Sequence, residues 1–373
     1  MSAGDSTERL RRLKDEARFS GGPGQIMARR RRGAGSARDR VTWLLDTNTF
    51  VELDVFVPGA VTGHGKVNGR DVYVFSQDGE ISPESLDEMF ARKLAKIADL
   101  AMKNGAPLIG LYDGGWPRGG AGTGLLGAYA ELYLRNVMAS GVIPQIAAVM
   151  GPCPGGAAFS PALADFTIMV KGSSQVFLGA PGGDAGDVRG GLGVAGEEDG
   201  ETAYEELGGA RAHSEKSGLA HLAADDEAEC LELIRMLLSY LPQNNLEEPP
   251  RTDLFGPAGV SGGDSPGGEE SETDPSRDVR AVVEWVVDKG EFLEISPRWA
   301  KNVVVGFARL GGRPVGIVAN QRAHLEGRLD GNGAAKAARM IRFCDAFNLP
   351  LVTFVDTPGF AGGKEQEHGG AVR

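Results

Sequence analysis

Apolar and polar positions follow two periods along this chain, and the changes from one to the other mark its elements. Residues 86–103 carry apolar side chains at the spacing of a helix face, and Asn104-Gly105 stops the pattern. Residues 107–112 are then apolar throughout, as in a strand covered on both faces. A second helix is predicted over 129–139 and a second apolar strand over 143–149. In the last third, 334–347 and 351–355 again read as helix followed by strand. Strand, helix, buried strand is the rhythm of an α/β unit. Two stretches break it: 179–200, glycine-rich and acidic, and 256–277, rich in Gly, Ser, Pro and Glu. Both are expected to be loops or linkers, and the domain boundary is placed in the second.

The pattern also repeats. Gly69, Lys93, Pro107 and Asp113 are answered by Gly312, Lys336, Pro350 and Asp356 at one constant offset (312 − 69 = 243). So long a period indicates a duplicated domain rather than a solenoid. The expected organisation is a basic N-terminal arm at 1–40, a first domain at 41–245, a linker at 246–277 and a partial second domain at 278–373. The first copy runs well beyond Asp113, whereas the sequence ends at Arg373, seventeen residues after Asp356.

Composition narrows the partners. With 373 residues there is room for two cores, and a net charge of −12 argues against nucleic acid. The basic residues crowd the N-terminus, where Arg29 to Arg32 are consecutive. A solvated arm is the plainer reading of that run, and a seat for the phosphates of a nucleotide-like ligand the sharper one. Cys153, Cys230 and Cys344 are few, odd in number and far apart, which suits a reducing compartment and neither disulfides nor a metal site. No apolar run has the length of a membrane span, and no signal peptide is apparent, so a cytoplasmic protein is expected.

The chemically suggestive segment runs from Met150-Gly151-Pro152-Cys153-Pro154 through Gly155-Gly156-Ala157-Ala158 to Phe159-Ser160-Pro161-Ala162. It follows a predicted strand and opens a predicted helix. Glycines at such a junction leave backbone N–H groups bare at the positive end of a helix dipole, which is how an enzyme builds a hole for an oxyanion. A tight turn without any ligand would use the same residues. His64, His213 and His221 lack carboxylate or cysteine partners at metal spacing, and structural roles are expected for them. Ala101-Met102-Lys103, at a helix end, is expected to be a solvated lysine rather than a biotin attachment site.

These strings, together with 139–146, Asp165-Phe166, 205–210, 217–221, 301–309 and 342–348, resemble the carboxyltransferase (β) subunit of biotin-dependent acyl-CoA carboxylases, in particular the propionyl-CoA carboxylase β type. The resemblance runs from about residue 21 to the end, in long ungapped strings. It implies an α/β fold of tandem crotonase-like (ClpP/crotonase) domains, the second one truncated. It also implies transfer of a carboxyl group from N1 of carboxybiotin to the α-carbon of a short acyl-CoA, propionyl- or acetyl-CoA. Two oxyanion sites serve that reaction in the family, and Gly155 and Gly156 match the N–H donors of the first.

Gly115, Arg118, Ala157, Gly359 and Phe360 match substrate-binding positions. Biotin would be carried on a separate protein or domain, with no metal in this chain. A biotin carboxylase/biotin carrier subunit is implied as partner, in a homo-oligomer that is a hexamer in the family. The chain departs from the family's donor loop at Trp116-Pro117, where proline cannot donate an N–H. The second glycine pair would fall near position 398 (155 + 243), so a poor or inactive carboxyltransferase is expected of this chain alone, and a separate chain could complete the second domain. Two alternatives are a biotin-independent or decarboxylase-type crotonase acting on a malonyl-type CoA thioester, and a non-catalytic assembly or regulatory subunit.

Overall fold

The computed structural model describes residues 3–18, 33–79, 88–114, 123–179, 204–252 and 278–370. They fall into two units, Met1–Met236 and Leu237–Arg373. The 180–203 and 253–277 segments, which include most of both predicted linker stretches, lie outside the described residues, as does the Arg29 to Arg32 run.

In the first unit helix α1 (Ala3–Arg18) exposes Leu10 and Leu13, and α2 (Ala37–Leu44) is closed by a capping box between Ser36 and Asp39. Strands β1 (Val51–Leu53), β2 (Ala60–Val67) and β3 (Arg70–Gln77) pair antiparallel. The chain then crosses through α3 (Glu88–Asn104) into β4 (Leu108–Tyr112), parallel to β3. Next come α4 (Thr123–Ala139), β5 (Gln145–Val149), the short β6 (Pro152–Pro154), α5 (Phe159–Leu163), β7 (Phe166–Val170), β8 (Gln175–Phe177) and β9 (Leu222–Ala224). Helix α6 (Glu227–Tyr240) follows. The sheet order is β1-β2-β3-β4-β5-β7-β9, with β6 and β8 forming a separate parallel pair. Helix α3 buries Phe90, Leu94, Ile97, Ala98 and Ala101, one face at helical spacing. Strands β4, β5 and β7 are buried at every position, as their unbroken apolar runs require.

The second unit takes in the last turn of α6, and the elements wholly within it are α7 (Val279–Val286), β10 (Phe292–Ile295), β11 (Val303–Leu310), β12 (Arg313–Asn320), α8 (Gly331–Ala346), β13 (Leu351–Phe354) and α9 (Lys364–Gly369). Its sheet has the order β10-β11-β12-β13, with only the last pairing parallel. Helix α8 starts earlier than the periodicity predicts, because the Asp330 carboxylate accepts from Gly333 N–H (2.8 Å) and caps a first turn containing two glycines. Strand β5 starts two residues later than predicted, after Pro144, which has no N–H for the ladder.

The repeat is structural as well as sequential. Strands β11 and β12 lie 243 residues after β2 and β3, residue for residue (303 − 60 = 243; 313 − 70 = 243). Lys93 Nζ donates to Val57 O (2.6 Å) and to Ala60 O. Lys336 Nζ donates to the matching Ala300 O (3.4 Å) and Val303 O (2.7 Å), and also to Ser296 O (2.8 Å) and Trp299 O (2.9 Å). Burial draws both ammonium groups down to about 8.

N-terminal to those strands the offset is one less (280 − 38 = 242). There Arg38 grips Glu52 through two bonds, 2.8 and 2.6 Å, and Arg280 grips Glu294 through two of 2.6 and 2.8 Å. Asp46 accepts from the N–H groups of Asn68 and Gly69, as Asp288 does from Gly311 and Gly312. The connection before β11 is thus one residue longer than that before β2.

Candidate functional site

The site begins at the C-terminal ends of β4 and β5, the edge where open α/β sheets place ligands. The chain leaves β5 at Met150, whose N–H donates to Tyr112 O (2.8 Å). Gly151 follows because a Cβ there would stand 2.2 Å from the Asp113 carboxylate. Gly114 N–H donates to Pro152 O (3.0 Å), tying the end of β4 to β6. Gly155 then takes φ +59, a left-handed conformation that favours glycine. A Cβ on Gly156 would lie 2.7 Å from the Tyr129 ring.

Residues Gly155–Ala158 form a 3₁₀ turn that runs directly into α5. The junction is therefore a 3₁₀ turn and a five-residue helix, and the helix dipole is correspondingly small. The leading N–H groups of such a turn have no intrahelical partner, and the N-cap residue, Pro154, offers them no side-chain cap. The Tyr133 hydroxyl donates to Gly156 O. Because a trans peptide is planar, this hold aims the Ala157 N–H to the opposite side.

Behind the turn lies a buried polar chain. The Tyr112 hydroxyl bonds Ser160 Oγ (2.7 Å), which donates to Asn136 Oδ1 (2.8 Å). Asn136 Nδ2 in turn donates to Gln145 Oε1 (2.9 Å). Burial raises the pKa of Tyr112, so its hydroxyl remains a donor. Cys153, beneath the turn, is fully buried; burial first and the nearby Asp113 second push its thiol up to about 12. It is a packed, protonated thiol. Tyr129 and Tyr133 stack with ring centroids 6.1 Å apart, and Phe159 meets Tyr133 edge-on at 5.7 Å, so one flank of the turn is aromatic.

Gly155, Gly156 and Ala157 thus come together as the sequence suggests. Gly115 and Arg118, with Trp116 and Pro117, lie outside the described residues. Gly359 and Phe360 belong to the second unit. There Gly359 O accepts from Leu329 N–H (3.0 Å), and Phe360 is 74% exposed. His221 Nδ1 accepts from Thr167 N–H (2.8 Å), and His213 bridges Val176 O and Ser217 Oγ, so both order the chain locally. Tyr129, Tyr133 and Asn136 were not singled out from sequence, and Ser160 was named only as part of the glycine segment, without a role. The four-residue spacing of the two tyrosines on one helix was the available signal. Among the described residues no His, Cys, Asp and Glu side chains gather as a metal site, and no helix is long and apolar enough to cross a membrane.

A carboxyl transferase domain matches residues 28–373, and the chain belongs to that family. It is 44% identical over 392 residues to the propionyl-CoA carboxylase carboxyltransferase subunit of Haloferax mediterranei, covering 100% of this chain and 73% of that one. It is 41% identical over 393 residues to the methylmalonyl-CoA decarboxylase subunit alpha of Veillonella parvula, covering 99% and 74%. Among solved structures, the transcarboxylase 12S hexamer with hydrolysed methylmalonyl-coenzyme A bound matches with a TM-score of 0.87 and 36% identity, over 100% of this chain and 73% of that one. The crotonase-like α/β fold expected from the sequence is the fold observed. The protein is an acyl-CoA carboxylase carboxyltransferase-like subunit of the propionyl-CoA carboxylase type.

Proposed function

We propose that this protein moves a carboxyl group between N1 of carboxybiotin and the α-carbon of a short acyl-CoA, propionyl- or acetyl-CoA, with Gly155 and Gly156 as oxyanion donors. The observation that supports this most directly is the glycine turn at Gly155–Ala158, which has no side-chain cap from Pro154 and is held by the Tyr133 hydroxyl at Gly156 O. When the α-carbon gains or loses its carboxyl group, negative charge gathers on the thioester oxygen. Fixed N–H groups in a water-poor site stabilise such charge, at about 10²- to 10³-fold in rate per donor.

Ala157 would line the acyl end of the site. Gly115, Arg118, Gly359 and Phe360 would be substrate-binding residues. The two units correspond to the two crotonase-like domains, and the second would serve carboxybiotin. That substrate is borne by a separate carrier protein or domain supplied by a biotin carboxylase partner. A cytoplasmic homo-oligomer, hexameric like transcarboxylase 12S, fits this reading.

The reverse direction gives a test that needs no partner enzyme. Methylmalonyl-CoA labelled in its free carboxyl group is incubated with biotin and the protein, and label on biotin is measured. Label is expected on biotin only with both present, and none above the protein-free control would overturn the proposal. The relation to methylmalonyl-CoA decarboxylase subunit alpha favours one second reading, a decarboxylase-type role. It predicts labelled CO₂ from the same mixture when biotin is left out.

A further inference from the structure

A buried ion cluster lies beside the site, and a valine stands in the second copy of the fold where the first has the arginine at its centre. Arg40, on α2, is 1% exposed. Its Nη1 donates to Asp113 Oδ2 at 2.9 Å, and its Nε and Nη2 donate to the Glu227 carboxylate, Nε at 3.1 Å. Gly35 N–H also donates to Glu227 (2.9 Å). Burial opposes the charge on Arg40, but Asp113 and Glu227 more than reverse that effect and hold the guanidinium charged.

The cluster occupies a particular place. Asp113 directly follows β4, and its N–H donates to Gln77 Oε1 (3.2 Å) at the end of β3. Its carboxylate lies against Gly79 and Gly151, where any Cβ would collide with it. The next N–H, of Gly114, holds Pro152 O, two residues ahead of the Pro154 cap of the glycine turn.

The second unit repeats the supports of the hairpin, namely the buried lysine, the Arg–Glu grip and the aspartate turn, but not this arginine. The position matching Arg40 is Val282 (40 + 242), and Asp356 (113 + 243) is 59% exposed, 3.5 Å from Arg322.

We propose that Arg40 is a positioning residue for carboxyl transfer, fixing Asp113 and, through Gly114 and Pro152, the strand that presents the Gly155–Gly156 donors. The role in turnover rests on the carboxyltransferase reading; the positioning itself does not. Arg40→Ala would leave two buried carboxylates without a counter-charge and would unfold the chain for that reason alone. The informative variants are Arg40→Lys, which keeps the charge and loses the planar fork, and the charge-free Arg40→Met/Asp113→Asn/Glu227→Gln.

Amide hydrogen exchange over 149–158 and kinetics of the label transfer are measured on the full chain for both variants and the parent. Exchange over 149–158 is expected to quicken about tenfold or more, with β2 and β3 unchanged, while kcat falls about tenfold and KM for the acyl-CoA stays within about threefold. Parent-like exchange in that segment in both variants overturns the proposal, as does parent-like kcat in a folded triple variant. If the parent itself transfers no label, the functional reading fails, and hydrogen exchange still decides whether Arg40 positions the turn.

Discussion

At Lys336 one ammonium gathers four main-chain carbonyls, and at Lys93 the matching ammonium gathers two. Replacing either by Met keeps the apolar stem and strands those oxygens. A loss of about 1–3 kcal/mol is expected in urea unfolding, larger at 336 than at 93. Tyr133 acts more locally, since its hydroxyl sets the direction of one peptide plane in the glycine turn. Tyr133→Phe should lower kcat of the transfer about tenfold or less, short of losing a donor outright, with KM little changed in steady-state assays. The glycines were legible in the sequence because no periodicity accounts for a pair of them between a strand and a helix. Tyr133 was not, because its partner is a main-chain oxygen 23 residues away, and no residue type announces that.

Among elements, the apolar runs of β4 and β5 declared themselves, and α3 was found nearly to its ends. Strand β2 was harder to see, since Gly63, His64, Gly65 and Lys66 occupy its middle. Structure explains the first of these. A Cβ on Gly63 would stand 2.2 Å from Val51 O and 2.6 Å from the Phe50 ring, and Gly306 meets Leu293 O and the Phe292 ring at the same two distances. Gly63→Ala should therefore push β1 off its sheet, destabilising the first unit by about 2–4 kcal/mol in thermal or urea unfolding. The halves of the repeat before β2 and β11 escaped the sequence comparison for a simple reason. One added residue in the second connection breaks the constant offset, so Arg38, Val41, Trp43, Asp46, Phe50 and Glu52 meet their identical counterparts 242 residues on rather than 243.

For the whole molecule, the fold class and the duplication were readable because both rest on long-range pattern. The brace behind the turn was not. It joins Arg40 to Asp113 and Glu227 across 73 and 187 residues, and charge alone groups Arg40 with the basic residues of the N-terminal arm. Such links are set by tertiary placement, which leaves no local trace in composition. The paired hairpins also bear on how the chain reaches its native state. A newly made chain holds two hairpins of equal strand length and one register, each able to pair with the other's partners, the kind of crossed assembly to which repeated domains are prone. Their sequences differ where a crossing would be punished. His64, half-buried beside Tyr73, would be carried into the sealed place of Phe307, which packs on Tyr240 and Phe343. Divergence between the copies thus acts as a proofreading code for folding, rejecting the wrong partner by the cost of burying an imidazole.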